Sequence, residues 1–528
     1  MTARRLIEIG DLRVTQPGMP LPVLDRFSLT LNAGETVVLL GDAHSGKDAV
    51  LRLLDGVPDA GEEFTARIGF NGAEAKQISR GLQPPFRVAY LPAAASQPLH
   101  PRFSAASQLT HIVARRLECP SGAAQAEFRA ALTHLSGAPC FELLDCPPQR
   151  LDDISLSWAL LAAASAAAPE LLLCDHPFLN ISPSAARMLT DALLAEQKRL
   201  GFAILYAARG PQSVMRLDAR TLVLRQGRIV EENDAADLVS GQTHAYTQAL
   251  FKALPQHVAD KPKRSSVRGE PLLQVQGLGL NTPLRKPVRT KDALSFELRR
   301  GASLALVGEE GSGRHALMRA VLGLDRKPGR ILFDAVDLSL LSQTMTARLR
   351  RRVAFITSND DALDLRMTLW DTVDEPLRAH LQLSRDLTAG YREAALKRVG
   401  LASHDGRRTV ASLSPFDRRR LMVARAIVSA PLLVVVDEPL RGLDAVAQTT
   451  MRDLLVDFRA EQQAAFLVIT GDFAVAQALA DDAMVFKDGR VVERGQIRAL
   501  LTNPKDPATK ALVEAAAIRP LSRGAAPV

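Results

Sequence analysis

The sequence predicts an α/β protein with largely parallel sheets, built from two homologous halves of one chain. Strand patterns and helix patterns alternate along each half, which is typical of parallel strands connected by helices. A glycine-rich loop between a strand and a helix occurs twice, within Gly34–Gly56 and within Gly301–Gly323. An apolar strand that ends in Asp-x-Pro also occurs twice, as LLLCDHP (Leu171–Pro177) and LLVVVDEP (Leu432–Pro439).

The first glycine loop, residues 41–48, has the pattern G-x-x-x-x-G-K. A strand, a glycine loop, a lysine and a helix together form a phosphate cradle, because backbone N–H groups and the helix N-terminus face the phosphates. We therefore expect Gly41, Ser45, Gly46 and Lys47 to bind the phosphates of a nucleotide. Asp48 stands where a Ser or Thr hydroxyl usually holds Mg²⁺, so its carboxylate is both a possible metal ligand and a source of repulsion.

The second glycine loop, residues 308–315, repeats the first one glycine for glycine but changes its reactive end. Its phosphate-binding candidates are Gly308, Gly311, Ser312, Gly313, Arg314 and His315. Arg314 replaces the lysine and keeps the positive charge, although a planar guanidinium is bulkier than an ammonium group. His315 replaces the Mg²⁺-binding hydroxyl.

The repeat predicts a first domain over residues 1–254 and a second domain over residues 272–528. The segment between them, residues 255–271, is rich in Pro, Ser and basic residues and is predicted to be a solvated linker. Each half also has a helix-rich stretch between its glycine loop and its Asp-ended strand, at about residues 104–168 and 367–430.

The composition is that of a soluble globular protein, with 47% hydrophobic and 23% charged residues. The aromatic share of 5% argues against a surface that stacks single-stranded nucleic acid. A net charge of +8 is compatible with several anionic partners and selects none of them. No apolar run of about 18 residues and no signal sequence stand out, so a cytoplasmic location is expected.

The two loops, the two Asp-ended strands and their order resemble the ATP-binding subunits of ABC transporters. The segment HAYTQAL (His244–Leu250) resembles the tail motif of the oligopeptide/dipeptide/nickel importer branch, and DPATKAL (Asp506–Leu512) is a second, weaker copy. The resemblance implies two fused domains, each with a mainly parallel core sheet, an antiparallel β subdomain and a helical subdomain. It implies ATP and Mg²⁺ as cofactors. The implied partners are two transmembrane permease subunits and an extracytoplasmic solute-binding protein, at the inner face of the membrane and without nucleic acid.

In that family, two domains pair head to tail, and each ATP lies between the loop of one domain and a signature segment of the other. The two domains of this chain could pair in that way within one molecule. The resemblance implies Asp175 and Asp437 as Mg²⁺ ligands and Glu438 as the residue that activates water. His176 stands at the activating position of the first half, where it is a doubtful substitute. Ser414 is the serine that survives from the second signature segment.

Other positions that carry the family's chemistry are substituted. The aligned sequence places Ala93 at the glutamine that senses the γ-phosphate, and Ala208 and Gly471 at the switch histidine. The first signature segment has Asp152 at the serine position, so a carboxylate would face the phosphates. Neither composite site is predicted to hold a complete catalytic set.

Three functions are therefore open at the level of the sequence. The first is the energy-coupling subunit of an importer of peptides or similar small solutes, with weak or lost ATP hydrolysis. The second is a pseudo-ATPase scaffold that docks membrane subunits or a partner ATPase. The third is a ribosome-associated factor with twin ATPase domains, which the short linker and the importer-like tail argue against.

Overall fold

A computed structural model gives the fold of the parts of the chain that are described below. These are residues 4–17, 21–43, 45–59, 61–74, 84–93, 95, 98–135, 137–240, 243–252, 269–280, 293–325, 327–341, 351–358, 362–381, 385–402, 405–461 and 464–516. Most of the predicted linker lies outside these ranges. The "first copy" below means residues up to 252, and the "second copy" means residues from 269 onward.

The first copy alternates strands and helices as its sequence pattern indicates. Its strands are β1 (Arg5–Thr15), β2 (Leu24–Asn32), β3 (Thr36–Leu40), β4 (Glu63–Phe70), β5 (Ala73–Glu74), β6 (Val88–Leu91), β7 (Leu171–Asp175), β8 (Ala203–Ala208), β9 (Arg220–Arg225) and β10 (Arg228–Asn233). Its helices are α1 (Lys47–Asp55), α2 (Ala105–Leu117), α3 (Ser121–His134), α4 (Asp153–Ala166), α5 (Pro183–Leu200), α6 (Pro211–Leu217), α7 (Ala235–Ser240) and α8 (Ala245–Lys252).

The second copy repeats this order. Its strands are β11 (Pro271–Leu278), β12 (Leu294–Arg299), β13 (Ser303–Gly308), β14 (Arg330–Phe333), β15 (Val336–Asp337), β16 (Val353–Thr357), β17 (Leu433–Asp437), β18 (Ala465–Thr470), β19 (Asp482–Lys487) and β20 (Arg490–Gln496). Its helices are α9 (Arg314–Val321), α10 (Leu369–Pro376), α11 (Arg385–Arg398), α12 (Pro415–Val428), α13 (Ala445–Glu461), α14 (Phe473–Leu479), α15 (Ile497–Thr502) and α16 (Pro507–Ala516).

Each copy has one mainly parallel sheet and one antiparallel sheet. The six-stranded sheets have the orders β10-β9-β3-β8-β7-β6 and β16-β17-β18-β13-β19-β20, and their pairs are parallel except β9–β10 and β19–β20. The four-stranded antiparallel sheets have the orders β2-β1-β4-β5 and β12-β11-β14-β15. Helices α2–α4 and α10–α12 form the helix-rich regions. The predicted fold class is confirmed, while the exact domain limits stay predictions.

The central strands are buried on both faces, as expected for parallel strands covered by helices. In β3, the residues Val37–Leu40 have no exposed surface, and in β7 the residues Leu171–Cys174 are at most 1% exposed. Strand β8 lies between them in the sheet. The carboxyl ends of β3, β7 and β8 therefore meet at one edge, and the first glycine loop begins at that edge.

The two copies are in direct contact. The backbone N–H of Ala445, at the start of α13, donates to the carbonyl of Arg209 in the first copy at 3.3 Å. Gly442 lies so close to Asn180 that an added Cβ would be 2.8 Å from Asn180 Oδ1. A cavity of about 420 Å³ lies between the copies and is lined by residues of both. This is direct contact between the halves within one chain.

Among the helices that the structure describes, none combines the length and the apolar character needed to cross a membrane.

The turn between β9 and β10 is hydrogen-bonded to the first glycine loop. Gly227 donates its N–H to the carbonyl of Ser45 at 3.1 Å, and its own carbonyl accepts from the N–H of Asp25 at 2.9 Å. Its φ is 78°, and an added Cβ would lie 2.6 Å from the carbonyl oxygen of Val23. A side chain at this position would therefore strain the backbone and push the turn away from the loop.

We expect Gly227→Ala to lower the melting temperature of the protein more than Gly72→Ala does. Gly72 has a φ of 80° but nothing within 4 Å of an added Cβ, so it isolates the cost of the left-handed backbone. That cost is about 1–2 kcal/mol, and the collision at Gly227 adds about 2 kcal/mol. Differential scanning calorimetry of both variants tests this, and equal shifts would contradict the supporting role of the turn.

Candidate functional sites

The first glycine loop has the shape of a phosphate cradle. Gly46 has a φ of 92°, and α1 begins at the next residue. The Lys47 side chain is fully buried, and its Nζ donates to the carbonyl oxygen of Asp42 at 2.7 Å. The Ser45 hydroxyl is buried and has no hydrogen-bond partner in the described structure. A buried donor and a buried ammonium group facing one loop suit an anionic ligand.

Three side chains come together beside this loop. His176 Nε2 lies 3.3 Å from Asp48 Oδ1 and 3.5 Å from Asp175 Oδ1. The ligand atoms of all three residues lie within 4.8 Å of one another. Tyr90 donates its hydroxyl to Asp175 Oδ2 at 2.9 Å. The family resemblance implied Asp175 as a metal ligand and the sequence offered Asp48 as a possible one, and the structure adds His176 to them. We call Asp48, Asp175 and His176 the carboxylate–imidazole cluster.

Burial and neighbouring charges shift the ionisation of this region. Burial lowers the pKa of Lys47, and the nearby Arg209 lowers it further, although Asp48 opposes both. Burial also lowers the pKa of His176, with Lys47 and Arg209 acting in the same direction. Burial alone would raise the pKa of Asp48, but the hydrogen bond to His176 and the charge of Lys47 hold it below its usual value. At neutral pH the cluster therefore combines an ionised Asp48 with a neutral imidazole ring.

Strand pairing fixes which residues correspond at the end of β8 and of β18. Asp175 pairs with Ala207, and Asp437 pairs with Ile469. Because the paired aspartates occupy the same place in the two copies, residue 207 corresponds to residue 469. Two residues further on, Arg209 corresponds to Gly471.

The alignment of Ala208 with Gly471 is therefore wrong by one residue, and Arg209 stands at the switch position of the first copy. Its Nε is buried and has no hydrogen-bond partner in the described part of the chain. Its backbone carbonyl accepts from Ala445 of the second copy. Sequence reasoning missed this cation because the motif itself had been lost, whereas counting from the paired strand ends would have found it.

In the second glycine loop, the side chain at the lysine position is engaged in contacts within the second copy. Arg314 is 1% exposed, and its Nη2 lies 2.8 Å from Glu438 Oε1, while Nη1 donates to the carbonyl of Gly308. Glu438 also accepts from the N–H of Gly471 at 2.9 Å and from the hydroxyl of Thr470 at 3.3 Å. Both carboxylate oxygens are thus hydrogen-bonded within the second copy. The residue expected to activate water is held in a buried ion pair.

The metal position of the second copy is engaged in the same way. His315 Nε2 lies 3.0 Å from Asp437 Oδ1. Ser312 and Gly313 keep their places in the loop, with a buried Ser312 hydroxyl and a φ of 102° at Gly313. The cradle is preserved, but the groups that would hold phosphate and Mg²⁺ are paired with each other.

The two signature positions cap the helices that they precede. Asp152 accepts from the N–H of Ser155 at 2.7 Å and caps α4. Ser414 accepts from the N–H of Asp417 at 3.1 Å and caps α12. The predicted correspondence between Asp152 and Ser414 agrees with this shared position. In this structure each side chain satisfies its own helix N-terminus.

Charges connect the signature helix of the first copy to the second glycine loop. Arg441 forms an ion pair with Glu310, which lies in that loop. Burial raises the pKa of Asp153, at the start of α4, and Arg441 opposes that shift. The charge on Arg441 therefore acts across the contact between the copies. This arrangement agrees with head-to-tail pairing of the two domains inside one chain.

The tail segment His244–Leu250 contacts the first glycine loop, which the sequence did not predict. The Tyr246 hydroxyl accepts from the N–H of Asp42 and donates to Asp42 Oδ2, both at 3.1 Å. Thr247 donates to Glu231 Oε2 at 2.5 Å and anchors the tail on β10. The corresponding position in the second tail is Ala508, which has no hydroxyl to offer.

Comparisons with known proteins agree with this architecture. The model of the family "ABC transporter" matches residues 291–441, and the model "Oligopeptide/dipeptide transporter, C-terminal region" matches residues 230–278. The chain is 29% identical over 512 residues to the uncharacterized ABC transporter ATP-binding protein YejF of Escherichia coli K12, covering 93% of this chain and 95% of that protein. The chain is similar to the ABC transporter ATP-binding proteins over nearly its whole length. The resemblance found in the sequence is confirmed.

The chain is also similar to two further proteins of this kind. The glutathione import ATP-binding protein GsiA of Salmonella choleraesuis is 27% identical over 568 residues, covering 99% of this chain and 91% of that protein. The structure of cbiO1 from Clostridium perfringens, part of the ABC transporter complex cbiONQ, matches with a TM-score of 0.40 and 24% identity. That match covers 44% of this chain and 91% of the other.

A buried carboxylate borders the cavity between the copies. Asp472 caps α14 by accepting from the N–H of Ala474 at 2.8 Å. Burial raises its pKa to about 6, the backbone hydrogen bond and Arg216 of the first copy lower it, and Glu438 raises it. Part of its surface stays accessible to the cavity although the protein surrounds it. The folded protein therefore holds this proton at a higher pH than the unfolded chain does.

This shift predicts a pH dependence of stability. Between about pH 4 and pH 6 the folded state binds more protons at Asp472 than the unfolded state, so stability falls as the pH rises through this window. The contribution of Asp472 to this fall in stability is about 3 kcal/mol. We expect Asp472→Asn, which can still cap the helix, to flatten the fall in melting temperature between pH 4 and pH 6. The exposed Asp453→Asn should leave the slope as in the parent protein, and an unchanged slope in Asp472→Asn would contradict the assignment.

Proposed function

We propose that this ABC protein is the ATP-binding component of an importer of peptides or similar small solutes, with weak or lost ATP hydrolysis. The names of its relatives support the substrate class, since one of them is a glutathione import protein. The match to the C-terminal region of oligopeptide/dipeptide transporters supports it as well. Its partners in this function are transmembrane permease subunits and an extracytoplasmic solute-binding protein, with the ABC protein at the inner face of the membrane.

The observation that carries the loss of hydrolysis is the ion pair between Arg314 and Glu438. A carboxylate that activates water must accept a proton from it, and Glu438 is already hydrogen-bonded to a buried guanidinium and to the N–H of Gly471. In the first copy, His176 replaces the carboxylate altogether. Loss of one catalytic group lowers the rate by a factor of about 100 or more. When several groups that act together are missing, little catalytic activity is left.

The first glycine loop is the one that fits a nucleotide. Lys47 and the buried Ser45 hydroxyl face the cradle, and Arg209 adds a cation whose Nε has no hydrogen-bond partner among the described residues. Asp175 and Asp48 would hold Mg²⁺, which neutralises phosphate charge when it is bound. Without the metal, Asp48 and a phosphate about 4 Å apart would repel by about 1 kcal/mol in water and about 4 kcal/mol at intermediate dielectric. Nucleotide affinity is therefore expected to depend strongly on the metal.

The second glycine loop does not fit Mg-ATP as it stands. Binding would require Arg314 to leave Glu438 and His315 to leave Asp437. Separating the first of these pairs would leave a buried charge without compensation, which costs about 3–5 kcal/mol. We derive no catalytic step through this site and expect at most one nucleotide in each chain.

The alternative function is a pseudo-ATPase scaffold. It is favoured by the second copy, in which Arg314 and His315 are paired with Glu438 and Asp437. In that function the second copy acts only as a folded partner that completes the pair and docks membrane subunits. The two functions differ in whether the first glycine loop still binds ATP.

Calorimetric titration with ATP and Mg²⁺ separates the two. In the importer function we expect about one ATP in each chain and a loss of binding in Lys47→Ala, because the variant removes the buried ammonium group from the cradle. The exposed Lys487→Ala should bind as the parent does. Absence of ATP binding to the parent protein would favour the scaffold function. Two equivalent ATP sites would contradict the inference that internal ion pairs block the second glycine loop.

Steady-state phosphate release tests hydrolysis directly. The complete complex, with its membrane subunits in vesicles, should turn over ATP about 100-fold or more slowly than an ABC importer with intact motifs under the same conditions. Glu438→Gln should change this residual rate little, because the carboxylate is already paired. Robust turnover that Glu438→Gln abolishes would reject weak or lost hydrolysis.

A further inference from the structure

We propose that Asp48, Asp175 and His176 form a binding site for a divalent metal ion such as Zn²⁺, which binds without nucleotide. This inference goes beyond the proposed function, since it requires neither ATP nor a membrane partner. Within the described part of the chain, this is the group of three His, Cys, Asp or Glu side chains whose ligand atoms converge.

The spacing of the ligand atoms fits a small metal ion. A tetrahedral ion with metal–ligand bonds of about 2.0–2.2 Å holds its ligand atoms about 3.4 Å apart. His176 Nε2 lies 3.3 Å from Asp48 Oδ1 and 3.5 Å from Asp175 Oδ1. Two edges of the ligand triangle therefore already have the separation that an ion would impose.

A second observation points to a missing ligand. Asp175 Oδ1 is buried and accepts no hydrogen bond in the described structure, although it faces the cluster. The other oxygen of the same carboxylate is fixed by Tyr90 at 2.9 Å. Such an outer hydrogen bond orients a ligating carboxylate in metal sites. An unsatisfied carboxylate oxygen is costly when it is buried, and a metal ion would satisfy it.

Two of the ligands lie on regular secondary structure, and the third is buried between them. Asp48 lies in the first turn of α1, and Asp175 is the last residue of the buried strand β7. The His176 side chain is 2% exposed and is held between them. Ligands on such elements need little rearrangement when an ion binds.

The donor set favours a transition metal over Mg²⁺. Mg²⁺ prefers oxygen ligands and near-ideal octahedral geometry, whereas imidazole suits Zn²⁺ and the other first-row ions. One imidazole and two carboxylates are therefore expected to bind such an ion more tightly than they bind Mg²⁺. Among the described residues of the second copy, the corresponding positions form no such cluster, because Glu438, which corresponds to His176, is paired with Arg314.

Lys47 competes with the proposed ion. Its Nζ lies 3.5 Å from Asp48 Oδ1 and partly neutralises that carboxylate. Removing the ammonium group should therefore strengthen metal binding while it removes ATP binding. This opposite response distinguishes the metal site from the nucleotide site.

The full chain, stripped with a chelator and free of nucleotide, should be titrated with Zn²⁺ in competition with a chromophoric chelator, and with Co²⁺ while the visible spectrum is recorded. We expect one ion in each chain. Affinity should fall at least 10-fold in His176→Gln and in Asp48→Asn, and Lys47→Ala should bind more tightly than the parent protein. The control variant His111→Gln removes an exposed imidazole outside the cluster and should bind Zn²⁺ as the parent protein does.

Unchanged affinity in both His176→Gln and Asp48→Asn, with each variant melting as the parent does, would overturn the proposal. A loss in His111→Gln as large as that in His176→Gln would overturn it as well, because binding would then reside on surface histidines. Failure of ATP binding with retention of the metal would overturn the proposed function alone.

Discussion

The order of three parallel strands is the constraint on which both sites depend. Because β8 lies between β3 and β7, the glycine loop, the strand-end aspartate and the switch position meet at one edge of the sheet. No substitution at one of these ends can be independent of the others. In the first copy, Asp48 and His176 are both departures from the family pattern, and they contact each other. In the second copy, Arg314 departs from the family pattern, whereas its partner Glu438 is the residue that the pattern has at that position.

These contacts explain how the fold keeps its cradles although several reactive positions are substituted. A phosphate cradle gathers buried cations and carboxylates, which are costly unless they are compensated. A bound nucleotide and its metal usually supply that compensation. In the second copy the compensation is internal, since Arg314 satisfies Glu438 and His315 satisfies Asp437. A buried pair of this kind adds little net stability, but separating it is expensive, so it holds the second copy in one arrangement.

Much of the fold could be predicted from the sequence because it follows from local patterns. Buried parallel strands are continuous apolar runs, and the glycine loops mark the turns between strand and helix. The residue-level errors have a different origin. Asp48 and His176 lie 128 positions apart, and only the strand order brings them together. Arg209 was not recognised at the switch position because no motif residue survives there to fix the sequence alignment. The pairing of Asp175 with Ala207 fixes the correspondence instead. The contact of Tyr246 with the loop could not be predicted from a tail motif whose role was unknown.

The charge that Arg441 exerts on Asp153 has a consequence for how the halves recognise each other. The residue that corresponds to Arg441 in the first copy is Leu179, and the residue that corresponds to Asp153 in the second is Pro415. Both of these corresponding residues are uncharged, so the attraction between Arg441 and Asp153 has no counterpart at these positions. The two halves are therefore chemically unequal at this contact, since the first copy supplies the carboxylate and the second copy supplies the cation.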